Sequence, residues 1–359
     1  MVFMKKIIIV LIIFYFTFPF SNASANLVLW ESMNADRDIC RMAGRGASTF
    51  HNTFSKYVQG YKEPLKFDGA FSFIEDNTAY LNNALAKEVT LEEDKLFLGR
   101  IIKLAKSGAY LKIDWEEPGG SSPTFILTLL VKNLSYSVSY LRSKKLINNE
   151  DLNIIKNYIN QVSKKLLLTS KGRYESVKNY SKVAIDQKIS APSSMIMWGV
   201  AINDKSIFDK YLKELLEVLK ILDKKKYFAK DIRHNNEAMH HLVQISEILR
   251  LNNFDLYSQE FKKGGSIHNQ IVVHAQKVLK AGNKKLKTSG DKTAKAQSIM
   301  NTRGFGTHLA WIPFYFRNSQ NKSKDVLALH KKVSGQSLDP YYGGQIAIHS
   351  GCYYGKIIP

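Results

Sequence analysis

Two cysteines are all that 359 residues contain, and acidic side chains are scarce: 31 against 52 lysines and arginines, a formal net charge of +21. Cys40 and Cys352 stand near the two ends of the chain, so neither zinc-finger nor Cys-x-x-Cys redox spacing is present. Beyond Ile7–Phe20 no apolar run is long enough to span a bilayer. Strand-like alternation of apolar and polar residues is rare, which argues against an all-β sandwich or barrel. No internal repeat is clear enough for a solenoid. The lysines are dispersed and no nucleic-acid-binding module is recognisable, so nucleic acid is not the expected partner.

What is present begins with MVFMKKIIIVLIIFYFTFPFSNASA. Lys5 and Lys6, the apolar stretch and Ala23-Ser24-Ala25 follow the order of a secretory leader, with cleavage expected after Ala25. The mature protein is then expected to be periplasmic or secreted, without a stable membrane span; an uncleaved N-terminal anchor is the competing reading. In an oxidising compartment Cys40 and Cys352 can join in one disulfide, and two buried thiols are equally compatible with the sequence. An exported chain this basic is poised to meet a polyanion by electrostatic steering, although runs such as Lys224–Lys226 and Lys331–Lys332 also suit ordinary solvated faces.

Helical periodicity predicts helices near 92–112, 124–145, 150–168, 192–202, 206–222, 237–251 and 268–281. Leu212, Leu215, Leu216 and Leu219 mark the fifth most clearly. Breakers separate them: Pro118-Gly119-Gly120, Gly172, Asn203-Asp204, Gly264-Gly265 and Gly282-Asn283. Pro192 is placed in a first helical turn, where its missing N–H costs nothing. Residues 284–298 read as a polar, lysine-rich bridge, and from Asn301 aromatics and glycines dominate. An all-α fold follows, and helices joined by short connections assemble naturally as an α/α barrel or toroid.

The densest chemistry lies between Asp223 and Leu256. Ala238, Leu242, Ile245 and Leu249 form a helical apolar stripe, with Gln244 and Glu247 assigned to the opposite side. Arg233, His234, Asn235, Asn236, His240 and His241 crowd the first turns, where a guanidinium, imidazoles and carboxamides can grip an anion and move a proton. His234, Ala238 and His241 share one face; Arg233, Asn236 and His240 share a neighbouring one. Only one face can line a cleft, and the helix start favours His234 with Asn235. Glu237 and His241 have the four-residue spacing of helical metal ligands, but the order is not His-Glu-x-x-His and no distant partner is evident, so no metal or other cofactor is expected.

Several stretches carry a resemblance to a known family. They are Leu127–Arg142 (LTLLVKNLSYSVSYLR), Ala191–Leu216 with its Ala-x-x-Asp-x-x-x-Phe turn, and His234–His268 (HNNEAMHHLVQISEIL, FDLYSQ, GGSIH). The tail LDPYYGGQ adds an Asp-Pro-x-x-Gly-Gly ending. In this order they resemble the alginate lyases built as an incomplete α/α toroid of antiparallel helix pairs. With the leader read at 1–25, the resemblance implies an N-terminal extension at 26–65 and a toroid domain at 66–359. It departs in the catalytic pattern. Where the family has an Asn-His pair before the Ala-x-x-Asp turn, this chain has Asp186-Gln187. Where the family has an acid/base tyrosine, His234 stands at or near the position, with Lys230 near the second arginine of the family motif.

The resemblance implies β-elimination on an acidic uronic-acid polymer of the alginate type. The residue types fit. His234 suits the proton transfers. Asn235, Arg233 and Gln187 suit stabilisation of the negative charge that develops beside the carboxylate. Lys230, Asn236, Asp186, Tyr341 and Tyr342 are the expected substrate contacts; tyrosines of a closing tail also commonly pack with one face and solvate the hydroxyl. The expected partner is acidic polysaccharide and the expected state a monomer. A non-catalytic polysaccharide-binding protein derived from the lyase fold is the alternative.

Overall fold

The computed structural model describes residues 27–29, 40, 67–86, 89–112, 123–176, 185–220, 232–261, 264–286, 299, 309–318, 320, 322–334, 342–343, 348–349 and 352. Residues 1–25, where a leader is expected, most of the expected N-terminal extension at 26–65 and most of the 284–298 bridge lie outside them. Among the described residues the chain forms ten α-helices. They are α1 (Phe67–Ala86), α2 (Leu91–Ser107), α3 (Pro123–Ser143), α4 (Asn149–Ser176), α5 (Ile185–Ala201), α6 (Lys205–Leu219), α7 (Ile232–Leu251), α8 (Ile267–Ala281), α9 (Ile312–Arg317) and α10 (Lys324–Ser334). Two two-residue strands, β1 (Tyr342–Gly343) and β2 (Ile348–His349), pair antiparallel. Among the described residues no helix is long and apolar enough to cross a membrane.

Local sequence explains the helix ends. Thr90 caps α2 through the Glu93 N–H while the Glu93 carboxylate accepts from the Thr90 N–H, and Gly108 closes the helix at φ +60°. Asp204 caps α6 through Ile207 N–H, and Ser266 caps α8 through Asn269 N–H. Of the apolar stripe of α6, Leu212, Leu215 and Leu219 are buried together with Phe208, Tyr211 and Val218, while Leu216 is half-buried.

The centre is α5. Every one of its residues except Gln187 is buried, and it packs most extensively on α6, α3 and α7. A helix without a solvated face has to be enclosed by other helices. It starts at Ile185, earlier than the expected 192, so Pro192 is interior and not in the first turn. With no N–H at Pro192, the Lys188 carbonyl loses its helical donor. Ser190 and Ser194 return their hydroxyls to the carbonyls of Gln187 and Ala191, so these polar groups are satisfied within the helix and do not need solvent.

Short turns set the helix directions. Lys144–Asn148 joins α3 to α4 with Lys145 at φ 57°, and Ile202–Asp204 joins α5 to α6 with Asn203 at φ 55°. Each pair is therefore antiparallel, and α3 runs parallel to α5 because their C-terminal ends meet. The Arg142 guanidinium at the end of α3 donates to Ala201 O at the end of α5 (2.6 Å). Lys132 and Tyr136 of α3 meet His241 and Gln244 of α7 in ascending order, so α7 runs parallel to both. The first turns of α3, α5 and α7 consequently share one end of the bundle, and the short turns share the other.

The N-terminal residues strap that second end. Leu27 N–H donates to Asn203 Oδ1 (3.0 Å), while the backbone of Val28 exchanges two hydrogen bonds with the Asn252 carboxamide (2.8 and 3.0 Å). Cys40 and Cys352, both fully buried, form a disulfide across 312 positions, which settles the alternative between bridge and free thiols. Closing so long a loop is worth up to about 6 kcal/mol in the chain-entropy model. Deep in the bundle, Asp94 of α2 accepts from Tyr80 of α1 (2.8 Å) and Tyr140 of α3 (2.6 Å), and burial pushes both phenols' pKa values up.

The α5–α6 crossing yields a direct test. A Cβ on Gly199 would lie 2.8 Å from Phe208 N and 3.2 Å from Asp204 O, both backbone atoms. Gly199→Ala should therefore force the two helices apart and lower unfolding free energy by about 1–3 kcal/mol in a denaturant titration. An unchanged midpoint would contradict this packing.

Candidate active site

At the end of the bundle opposite the strap, α7 opens with Ile232, Arg233 and His234, all half-buried, followed by Asn235 and Asn236, both buried. Its first-turn N–H groups and helix dipole favour negative charge there. Neither amide atom of Asn235 has a hydrogen-bond partner. A buried, unsatisfied carboxamide is costly unless something in use satisfies it. The first turn of α5 stands at the same end. Asp186 is buried, Gln187 alone of its helix reaches solvent, and burial lowers the Lys188 pKa to about 8.

Below this rim the interior is polar. Lys132 of α3 is fully buried, with its Nζ 2.6 Å from Gln244 Oε1 and 2.8 Å from His241 Nδ1. Gln244 Nε2 donates to Tyr136 OH (3.1 Å). Desolvation drives the pKa of Lys132 well below the usual lysine value. Desolvation first, then the charges of Lys132 and His240, does the same to His241. His241 lies seven positions after His234, on the same face of α7, so this cluster sits two turns beneath the half-buried imidazole.

The neighbouring face of α7 is turned to α8 and α9. Asn236 Oδ1 accepts from Trp311 Nε1 (3.2 Å) and His274 Nε2 (3.0 Å), while His240 Nδ1 donates to Asn236 O (2.9 Å). Burial lowers His274 to a pKa of about 3. Further along, the fully buried Glu247 accepts a two-pronged bond from Arg250 (2.8 and 2.8 Å) and pairs with Arg317 of α9 (3.0 Å). Burial raises its pKa, and the two guanidinium groups pull the other way. The expectation of a polar, solvated side at Gln244 and Glu247 is therefore corrected. Both are interior because partners on α3 and α9 satisfy them.

Of the residues singled out from sequence, Arg233, His234, Asn235, Asp186 and Gln187 come to one end of the bundle. Asn236 is beside them but engaged with α8 and α9. Tyr342 pairs through its backbone with His349 in the β1–β2 ladder. Lys230 and Tyr341 lie outside the described residues. His241 turns Nδ1 to an amine; among the described residues no three His, Cys, Asp or Glu side chains gather as a metal site. Sequence reading missed Lys132, Tyr136, Lys188, His274 and Trp311. For Lys132 a signal existed: it is the one charge between Phe125 and Tyr140.

No family model matches the chain, and no curated protein matches it. Solved structures do. An alginate lyase A1-III variant complexed with tetrasaccharide superposes with a TM-score of 0.58 at 13% identity, covering 90% of this chain and 97% of that one. Alginate lyase A1-III from Sphingomonas species A1 gives 0.58 at 12% identity with the same coverage. An apo variant gives 0.55 at 16% identity, covering 81% and 80%. The protein thus has a distant alginate-lyase-like fold, an α/α toroid, as the ordered motifs implied.

The Glu247 cluster tests how the site's floor is held. Glu247→Ala leaves Arg317 buried without its counter-charge and should cost about 3–5 kcal/mol of unfolding free energy. Arg250→Ala, at the more exposed partner, should cost distinctly less. Equal, small losses in both variants would show that the ion pairs do not hold α9 to α7.

Proposed function

We propose that the protein is an exported polysaccharide lyase that cleaves an acidic uronic-acid polymer of the alginate type by β-elimination. The observation that carries the reading is the unpartnered, buried Asn235 amide beside Arg233 and His234 at one end of an alginate-lyase-like toroid. The similar alginate lyase A1-III has been obtained complexed with tetrasaccharide. The basic charge of the chain suits a polyanionic substrate, and the buried Cys40–Cys352 disulfide suits an oxidising compartment reached through the leader at 1–25.

In this reading Asn235, Arg233 and Gln187 neutralise the uronate carboxylate, so that the charge developing when C5 loses its proton is tolerated. His234 takes the C5 proton. The C–H electron pair becomes the C4–C5 double bond, the bond from C4 to O4 breaks, and O4 leaves with a proton returned by the same imidazole. Asn236, held by Trp311 and His274, fixes the rotation of the first turn of α7. Lys230, Asp186, Tyr341 and Tyr342 complete the substrate contacts. No metal takes part, and the protein acts as a monomer.

The test is purified mature protein offered polymannuronate, polyguluronate, glucuronan, chondroitin and heparin, followed by the ultraviolet absorbance of the unsaturated product. On the best polymer His234→Ala should lower kcat by about two to four orders of magnitude, and chelator should leave turnover unchanged. Salt should weaken binding by screening. Tight binding with no unsaturated product from any polymer would favour the non-catalytic binder. Wild-type turnover in a folded His234→Ala protein would remove His234 from the chemistry.

A further inference from the structure

Residues 27–29 are seated on the turn end of the bundle as a peptide is seated in a cleft. Their partners stand 176 and 224 positions away. Leu27 N–H donates to Asn203 Oδ1 (3.0 Å), Val28 N–H donates to Asn252 Oδ1 (2.8 Å), and Val28 O accepts from Asn252 Nδ2 (3.0 Å). In an extended segment successive N–H groups point to opposite sides, whereas the N–H and C=O of one residue share a side. The bonding has this pattern. Leu27 is held from the α5–α6 turn and Val28 from the end of α7, so the strap lies between the two. Leu29, 1% exposed, is buried in the core, and Leu27 packs against the same core.

Both asparagines are oriented by their own helix ends. Asn252 follows the last residue of α7, and its Nδ2 also donates to Ile248 O (2.7 Å), one of the carbonyls that a helix end leaves without an intrahelical partner. That bond fixes which way the carboxamide faces. Oδ1 and the second Nδ2 hydrogen then match the N–H and C=O of one extended residue. Asn203 holds the left-handed turn at φ 55°, with its own N–H on Val200 O (3.1 Å). Asparagine tolerates that conformation better than most residues. The cleft thus grips backbone at its first two positions and buries a side chain at the third. Sheet edges bind peptides by the same division, main-chain bonds giving affinity and a side-chain pocket giving selection. The entropy lost in ordering three residues offsets much of what these bonds and one buried leucine return, so a segment can enter the seat and leave it.

We propose that the turn end carries a peptide-binding site, built from Asn203, Asn252 and the core beneath them, for an extended segment with an apolar third residue, and that residues 27–29 are its built-in, exchangeable occupant. Val28 is held through its backbone, so other side chains are accepted at that position. Leu29 is held through its side chain, so a charge there is refused. The site lies opposite the end that holds Arg233 and His234. Its test involves no polysaccharide, so its failure would leave the lyase reading untouched, and the reverse.

Leu29→Asp in the intact, disulfide-bonded protein removes the apolar anchor and releases the strap. The probe is the end-capped pentapeptide Asn-Leu-Val-Leu-Trp, the sequence of residues 26–30. Binding is followed by NMR through the side-chain amides of Asn203 and Asn252. The variant should bind the peptide saturably at both asparagines. Wild type, whose own strap competes from the same chain, should bind it about tenfold more weakly or worse. Aspartate in place of the peptide's second leucine should abolish binding, and threonine in place of its valine should not. No saturable shift at either asparagine of the folded variant, or equal binding to variant and wild type, overturns the proposal. Asn252→Ala gives a second readout that does not require Leu29→Asp to fold. Exchange of the Val28 amide should quicken by about two- to tenfold, the worth of one hydrogen bond, while amides of α2 keep their protection. An unchanged Val28 amide overturns the site.

Discussion

The rest of the structure follows from the burial of α5. A 17-residue helix in which only Gln187 reaches solvent cannot stand at a surface, so α3, α6 and α7 have to surround it. Gly199 permits the backbone of α6 to approach closely, and Ser190 and Ser194 bond back to their own helix. Once α5 is central, the short turns at Lys144–Asn148 and Ile202–Asp204 dictate direction. Helices α3, α5 and α7 run in parallel, with the turns at one end and the first helical turns at the other.

That arrangement separates two kinds of work. The turn end is closed by structure: the Leu27–Leu29 strap and its Asn203 and Asn252 partners. The opposite end collects Arg233, His234, Asn235 and Gln187, and among these the buried amide of Asn235 has no hydrogen-bond partner. Between them lies a polar floor built on Lys132, Gln244 and Tyr136, and a second tie through Asn236, Trp311 and His274. Each group of the floor is bonded, and a fixed floor beneath a helix start would hold the proposed proton-transferring His234 in place.

Much of the fold was readable from local pattern. The stripe of α6, the caps at Thr90, Asp204 and Ser266, and the order of the resembling motifs all depend on residues close in sequence. What resisted depends on distant partners. Pro192 looks like a helix start because the mostly polar residues before it, Asp186 to Ser190, carry no apolar period, yet the surrounding helices bury all of them except Gln187. Helix α1, Phe67–Ala86, was not anticipated, nor were α9 and α10 within the aromatic tail. Gln244 looks solvated until Lys132, 112 positions away, is placed beside it. Glu247 looks solvated until Arg317 arrives on α9. The candidate site was legible as a cluster at the start of α7, whereas its floor was not, since the residues forming it stand on two helices far apart in sequence.

The central claim is that the end of the α3–α5–α7 trio that holds their first turns receives an acidic polysaccharide. Hydrogen exchange of the intact protein, with and without a saturating polymannuronate oligosaccharide, tests it most directly. The account predicts slowed exchange in the first turns of α5 and α7, around residues 185–190 and 232–237, and no change at the strapped turns around Asn203 and Asn252. Slowing confined to the strapped end, or none anywhere at saturation, would contradict it.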